Sequence, residues 1–247
     1  MWGNNSGILT SWMGGLNGVW TLLDGRMDLG GNYLYNGSKK EIEESSSKIT
    51  YKDDGRDLIS DSDGWSNTLA QGHRFGIRLE HKFSDKTSIL FEPQFNFGSG
   101  SFDEYSKTAT LTRNGEQRDS TNRGFSSTNG ANNSWQTSGF LLFRQKIGEK
   151  AGSTFSVNMR YSYSDNKITG FNQSMTDVLF DDGWQSNFVN QRYDSRSQAA
   201  AIRARAVYTE PRTDKLFLEM SYQYSWSHNT QDKNSYDSAV ENTTYVD

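Results

Sequence analysis

The side chains that most often carry out chemistry are not grouped in this sequence. The histidines His73, His81 and His228 form no H-x-x-x-H pair, so an interfacial or solvated placement is favoured over metal ligation. The acidic run KDDGRDLISDSDG at 52–64 lacks the D-x-D-x-D-G register and the final glutamate of a Ca²⁺ loop, which favours a solvated loop. With no cysteine and no G-x-S-x-G motif, the sequence predicts no enzyme, no metal site and no cofactor.

Charged residues instead alternate with apolar ones. In HRFGIRLEHKF at 73–83, Phe75, Ile77 and Leu79 are separated by charged residues. Since successive side chains of a strand point to opposite faces, this pattern predicts a strand with one apolar and one polar face. The same reasoning over the other candidate strands selects a set of polar-face residues, which would face the lumen if the strands form a barrel: Arg78, Glu80, Lys82, Arg144, Arg160, Arg203, Arg205 and Glu219.

The composition agrees with thin apolar stripes rather than a large core. The 247 residues are 33% hydrophobic with a mean hydropathy of -0.84, yet 13% are aromatic, which argues against disorder. The net charge of -4 and scattered basic residues give no support to nucleic-acid binding. No apolar run reaches the ~18 residues of a membrane-spanning helix, and no signal peptide is visible at the start.

Eight strands are predicted, joined by two kinds of connection. Short turns centre near Asp24, Asp85, Glu149 and Arg212, about 60 residues apart. Between them lie polar segments rich in Ser, Asn, Asp and Gly, which we expect to be long loops: Ser38–Leu69, Gly98–Asn133 and Gly170–Asn187. The sequence therefore predicts a series of β-hairpins, with short turns at one end of the strands and long loops at the other end.

Two architectures produce such alternation, a soluble β-sandwich and a transmembrane barrel. The barrel is favoured because the alternations run about ten residues, as a tilted membrane-crossing strand requires. It is also favoured because aromatic residues lie at both ends of the stripes, where lipid–water interfaces select them. These candidate interface aromatics are Trp20, Phe83, Phe155 and Tyr208 near the short turns, and Tyr33, Tyr35, Tyr163 and Trp226 near the long loops.

Three segments also carry a family resemblance. They are GGLNGVWTLLDGRMDLGGNYLYNGSKKEIEESSS, HRFGIRLEHKFSDKTSILFEPQFNFGSGSFDEYS and NNSWQTSGFLLFRQKIGEKAGSTFSVNMRYSYSDN. Their pattern of alternating strands and short turns resembles the barrel region of TonB-dependent receptor-type outer-membrane proteins of Bacteroidota. The resemblance implies a cell outer-membrane location, contact with outer-membrane lipid, a plug domain, a TonB-type energy-coupling protein and a nutrient ligand of unknown identity.

The resulting prediction is an all-β, antiparallel, up-and-down transmembrane barrel, with short periplasmic turns and long extracellular loops. Residues 1–247 are expected to be a single barrel segment of about eight strands, a fragment without signal peptide, plug and the remaining strands. Its expected function is a part in nutrient uptake across the outer membrane. The alternatives are a complete eight-stranded barrel, a surface-exposed β-sandwich adhesin or glycan-binding module, and an outer-membrane hydrolase on a small barrel.

Overall fold

The computed structural model describes residues 7–53, 55–114, 117–148, 152–213 and 216–237. Within these ranges the chain forms strands and turns, and contains no helix long and apolar enough to cross a membrane. The eight strands are β1 (Ile8–Leu22), β2 (Met27–Thr50), β3 (Arg56–Lys82), β4 (Thr87–Asn114), β5 (Gln117–Lys146), β6 (Thr154–Phe180), β7 (Gly183–Thr213) and β8 (Leu216–Asp237).

The strands form one antiparallel sheet in chain order, from β1 to β8. Each inner strand pairs with the strands before and after it, and the edge strands β1 and β8 pair only with β2 and β7. The prediction of eight antiparallel strands in an up-and-down arrangement is therefore confirmed. Among the described residues, no pairing joins β1 to β8, and the sheet is open. A sandwich needs a second sheet packed on the first; the described part of the chain has one sheet.

The predicted loops are wrong, because the strands continue through them. The β2–β3 ladder runs on to Thr50↔Leu58, the β4–β5 ladder to Asn114↔Gln117 and the β6–β7 ladder to Phe180↔Gly183. The strands from β2 to β8 are therefore 22 to 31 residues long rather than about ten. At ~3.3 Å per residue, the longest spans about 100 Å. We call residues 38–69, 98–133 and 170–187 the extended hairpins.

Backbone pairing and short polar contacts hold the extended hairpins together. The hydroxyls of Ser45 and Ser47 each donate to a carboxylate on β3, to Asp63 and Asp61 respectively, at 2.6 Å. Neither face of these segments is consistently apolar, so the period-2 signal that marks a half-buried strand is missing. This is the physical reason why the sequence pattern suggested loops.

The short turns lie where predicted in the first two hairpins. Leu23, Asp24 and Gly25 all have positive φ, at 53°, 53° and 82°, and the Arg26 N–H donates to the Leu23 carbonyl at 3.1 Å. Glycine is the residue that adopts such a conformation at least cost. In the second turn Ser84 and Thr87 exchange backbone hydrogen bonds at 3.3 Å. The predicted turn at Glu149 lies outside the described residues. The last connection, at 214–215, also lies outside them, and Arg212 is within β7.

This sheet has almost no hydrophobic core. Ile59, at 8% exposure, is the one buried hydrophobic residue in the described ranges, and no large side chain there is fully buried. A water-soluble domain of this size normally buries most of its Leu, Ile, Val and Phe side chains. The large apolar side chains of the described residues are therefore mostly exposed on the faces of the sheet.

Candidate functional site

The strand register assigns every side chain to one of two faces. Directly opposed residues share a face, and one such row runs Tyr33↔Phe75↔Phe95↔Thr137↔Tyr163. We call the face that carries Phe75 the apolar face and the one that carries Arg78 the polar face. All eight candidate polar residues lie on the polar face: Arg78, Glu80, Lys82, Arg144, Arg160, Arg203, Arg205 and Glu219.

The apolar face carries a continuous apolar belt next to the short turns. It comprises the apolar-face positions within residues 12–22, 27–35, 73–83, 89–97, 135–143, 155–163, 200–208 and 216–226. In the middle of the belt Phe75 is 42% and Ile77 is 44% exposed. No described element covers these side chains, and exposed apolar patches of this kind are typical of interaction surfaces.

Aromatic rings line the end of the belt that faces the extended hairpins. The Tyr33 ring lies 4.8 Å from Phe75, and its hydroxyl is 2.9 Å from His73 Nδ1. The Tyr35 hydroxyl donates to Gln71 Oε1 at 3.0 Å. Further along, Tyr163 accepts from Gln198 Nε2 at 2.9 Å and packs 4.7 Å from the Trp135 ring. Trp226 stacks on His228 at 6.1 Å. Rings with polar ends turned towards polar partners match a boundary between apolar and wet surroundings.

The other end of the belt, at the short turns, carries a second group of rings. Trp20 and Phe83 are both 57% exposed. His81 packs edge-on against Phe83 with ring centroids 4.5 Å apart. Phe155 is the direct cross-strand neighbour of Tyr208, whose hydroxyl donates to Glu210 Oε2 at 2.9 Å. All eight candidate interface aromatics therefore lie on the apolar face or continue it into a turn, at the two ends of the belt.

Two ion-pair groups mark the polar face behind the belt. Arg78 pairs with Glu92 and donates to Glu80 Oε2 at 3.1 Å. The ladder between β3 and β4 is interrupted beside Arg78, opposite Pro93, which has no N–H to donate. Arg205 lies 3.6 Å from Glu219. These ion pairs, one within β3 and the others between neighbouring strands, neutralise part of the charge on the polar face.

The register aligns several residues of the polar face in one row, which we call the arginine row. It runs Arg78, Glu92, Phe140, Arg160, Arg203 and Ser225. Phe140 breaks the polar parity of β5, and the structure explains it, because the Arg160 guanidinium lies 5.1 Å from the centre of its ring. Arg160 and Arg203 are direct cross-strand neighbours, and no described acid pairs with either. The sequence predicted both residues but not that they are adjacent.

Two cavities open along the arginine row. One, of about 660 Å³, is lined by Arg78, Glu92, Phe140 and Arg160 together with several glycines. The other, of about 450 Å³, is lined by Arg160, Arg203 and the hydroxyl residues Ser162, Ser225 and Ser227, with Trp226 among its apolar neighbours. Arg160 belongs to both cavities. The row thus offers a cationic surface lined by side chains that donate hydrogen bonds.

The extended hairpins carry features that the sequence reasoning missed. Asp177, which is buried, accepts from Ser186 at 2.6 Å and from Arg123 at 2.9 Å, and these hydrogen bonds, Ser186 first, lower the pKa of its carboxyl. The rings of Trp65, Tyr105 and Phe125 follow one another across three strands at 6.3 Å spacings, with planes 20–23° apart. Apart from the Asp177–Ser186 hydrogen bond, these contacts join residues distant in sequence, so only the register reveals them.

Comparison with known proteins identifies no family. No protein-family model matches the chain, and no curated protein matches it. The crystal structure of a lipopolysaccharide binding protein aligns at 7% identity and a TM-score of 0.10, over 94% of this chain and 78% of that one. The crystal structure of Pseudomonas aeruginosa OccK5 (OpdH) aligns at 6% identity and a TM-score of 0.11, over 92% of this chain and 97% of that one. Similarities of this size assign neither a fold nor a function.

Proposed function

We propose that this chain forms part of the wall of a transmembrane β-barrel in an outer membrane. The supporting observation is the apolar belt, which is bordered by rings at both ends and is covered by no described element. Lipid is the partner that such a belt fits, because a barrel's outer surface is an apolar band ~25 Å tall between aromatic girdles. The polar face then lines a wet interior.

Closure of the sheet is part of this proposal. In hydrocarbon every backbone N–H and C=O must be paired within the protein, so a sheet edge cannot face lipid. The free edges of β1 and β8 would therefore pair with further strands of the same wall. The extended hairpins would rise beyond the membrane as β-structured ribbons in place of the irregular loops expected from the sequence.

The function that we propose for this wall is TonB-linked uptake of a nutrient. The resemblance to TonB-dependent receptors supports it, and in that family a plug domain and an energy-coupling protein act together with the barrel. The wall would hold the plug and shape the passage, and no residue is assigned a catalytic role. Because this part of the proposal rests on fold-level analogy, it leaves the identity of the nutrient open.

Detergent dependence tests the membrane part of the proposal. The purified protein, with any further strands that complete its wall, should remain monodisperse only in detergent micelles or lipid, since the belt would otherwise associate with itself. A chain that is monomeric in plain buffer by analytical ultracentrifugation would contradict a lipid-facing belt. Uptake is tested separately by deleting the gene and following a panel of labelled nutrients in energised and uncoupled cells. Unchanged uptake of every nutrient would contradict the transport part.

Glycan recognition is a second candidate, which the ring row on the extended hairpins favours. Trp65, Tyr105 and Phe125 form a nearly parallel row of rings beyond the belt, and Trp65 is 39% exposed. Flat sugar rings stack on such surfaces. A glycan-binding module without a membrane role would be soluble in plain buffer and would lose oligosaccharide binding on Trp65→Ala. A transport barrel would need detergent whether or not Trp65 binds sugar.

A further inference from the structure

We propose that the arginine row is a binding site for a small solute that carries two or more carboxylate or phosphate groups. The site centres on Arg160 and Arg203, which face each other across β6 and β7 on the polar face. This inference deepens the proposed function, because it rests on the polar face being the wet one and names the class of solute that would meet it.

The pairing of two arginines is unfavourable unless something neutralises it. Like charges directly opposite each other on a sheet are destabilising. Arg160 has a favourable contact with the Phe140 ring, but this contact leaves its charge in place. No acid in the described part of the chain pairs with Arg160 or Arg203; the nearby acid Glu219 lies against Arg205, 3.6 Å away. An anion from outside the sheet would supply the missing charge.

Positive and negative charges on the polar face are unevenly distributed among the strands. On β3 and β4, Arg78 meets Glu80 and Glu92. On β5, β6 and β7, the charged residues of the polar face at the belt and just beyond it, towards the short turns, are all positive: Arg144, Lys146, Arg160, Arg203 and Arg205. The chain as a whole has a net charge of -4, so this cationic strip is a local feature and does not reflect the average composition. Such a strip attracts anions and raises their local concentration.

The smaller cavity on the row has the chemistry of an anion receptor. Its lining includes Arg160, Arg203, three serines, Tyr161 and Trp226, whose polar groups can all donate hydrogen bonds, and it contains no carboxylate. A guanidinium fork binds a carboxylate or a phosphate through two parallel hydrogen bonds. The volume of about 450 Å³ lies within the range of small-molecule sites. A compact di- or trianion would contact both arginines and the serine hydroxyls together.

The binding test uses the full chain in a non-ionic detergent at low salt. Citrate and inorganic pyrophosphate are titrated by calorimetry as the carboxylate and phosphate arms, with sorbitol as the uncharged control. Citrate or pyrophosphate should bind and sorbitol should not. Arg160→Gln and Arg203→Gln should each weaken anion binding about 10- to 100-fold, as expected for the loss of hydrogen bonds to a charged group. Absence of anion binding at 10 mM, roughly the weak limit for a specific site, would overturn the proposal.

A matched control variant distinguishes anion binding at Arg160 and Arg203 from non-specific attraction to the positive charge of the chain. Arg192→Gln makes the same charge change on β7 but on the opposite face, and it should leave anion affinity unchanged. Equal weakening by Arg192→Gln and Arg203→Gln would overturn the proposal in favour of non-specific attraction. Arg203→Lys keeps the charge without the fork, and binding intermediate between the parent and Arg203→Gln is expected.

The thermal midpoint of Arg203→Gln distinguishes a binding role of Arg203 from a structural one. If Arg203 is kept for binding, Arg203→Gln should leave the thermal midpoint of the ligand-free chain unchanged or raised, because a like-charge pair is removed. A lowered midpoint together with unchanged citrate and pyrophosphate affinity would assign Arg203 a structural role and overturn the proposal. Failure of anion binding in a chain that still requires detergent would refute this site alone. A chain soluble without detergent would refute the proposed membrane function instead.

Discussion

Replacing Ile77 by arginine measures what the apolar belt contacts. Ile77 lies mid-belt on β3, four residues from His73 and four from His81. Four residues of strand correspond to about 13 Å, roughly half of a 25 Å apolar band. A lipid-facing Ile77 therefore lies close to the membrane midplane, where electrostatic solvation is poorest.

The cost of Ile77→Arg follows from this position. An arginine on the lipid face of a barrel costs about 2–4 kcal/mol at the midplane and about 0–1 near the interfaces. Ser138→Arg is the matched control, because Ser138 lies at a similar level of the sheet but on the polar face. If the belt met water instead, Ile77, at 44% exposure, would behave as a surface position, with an effect of about 0.5 kcal/mol.

The assay is urea unfolding of the full chain in phospholipid vesicles, followed by tryptophan fluorescence. We expect Ile77→Arg to lower the free energy of unfolding by about 2–3 kcal/mol more than Ser138→Arg does. The dependence of the free energy of unfolding on urea concentration should be the same in all variants. Differences in the urea midpoint then report differences in stability. A difference below about 1 kcal/mol between the two variants would refute a lipid-facing belt, given the midplane cost.

Three further predictions concern the polar face and the extended hairpins. Arg78→Gln should lower the free energy of unfolding by about 1 kcal/mol in the same assay, because the ion pairs of Arg78 with Glu80 and Glu92 are partly exposed. A decrease of more than about 3 kcal/mol would contradict a partly exposed pair. Asp177 has a lowered pKa, so its stabilisation is complete above the unfolded value of 3.8 and is lost as pH falls below it. Amide exchange in residues 176–187 should therefore rise as pH falls towards 3, relative to the intrinsic rate, and Asp177→Asn should abolish that dependence. Trp65→Ala should leave unfolding unchanged within about 1 kcal/mol, while removing any oligosaccharide binding detected by fluorescence titration.

Much of the fold follows from alternation in the sequence. The parity of Phe75, Ile77 and Leu79 against Arg78 and Glu80 predicts both the strand and the face on which each side chain lies. The short turn at Asp24 follows from the glycine beside it and from the two alternating segments that it joins. In both cases the information is local, since period-2 patterning and turn chemistry operate within about ten residues.

The parts that were not predicted depend on partners across the sheet. Ser45 and Asp63 belong to segments without an apolar face, and their strands form because each backbone ladder extends the preceding one. The adjacency of Arg160 and Arg203 depends on the β6–β7 register, which composition does not specify. Asp177 and Arg123 are likewise joined only through the pairing of β5 with β6.

A single-cysteine scan along residues 74–80 of β3 shows directly whether the apolar face meets lipid and the polar face meets water. The natural chain has no cysteine, so each variant carries one fluorophore, and bimane can be attached in lipid vesicles. If the belt faces lipid, labels at 75, 77 and 79 are quenched by nitroxide on lipid chains, and labels at 76, 78 and 80 by aqueous iodide. Iodide quenching at 75, 77 and 79, or no alternation along the strand, would contradict a lipid-facing belt.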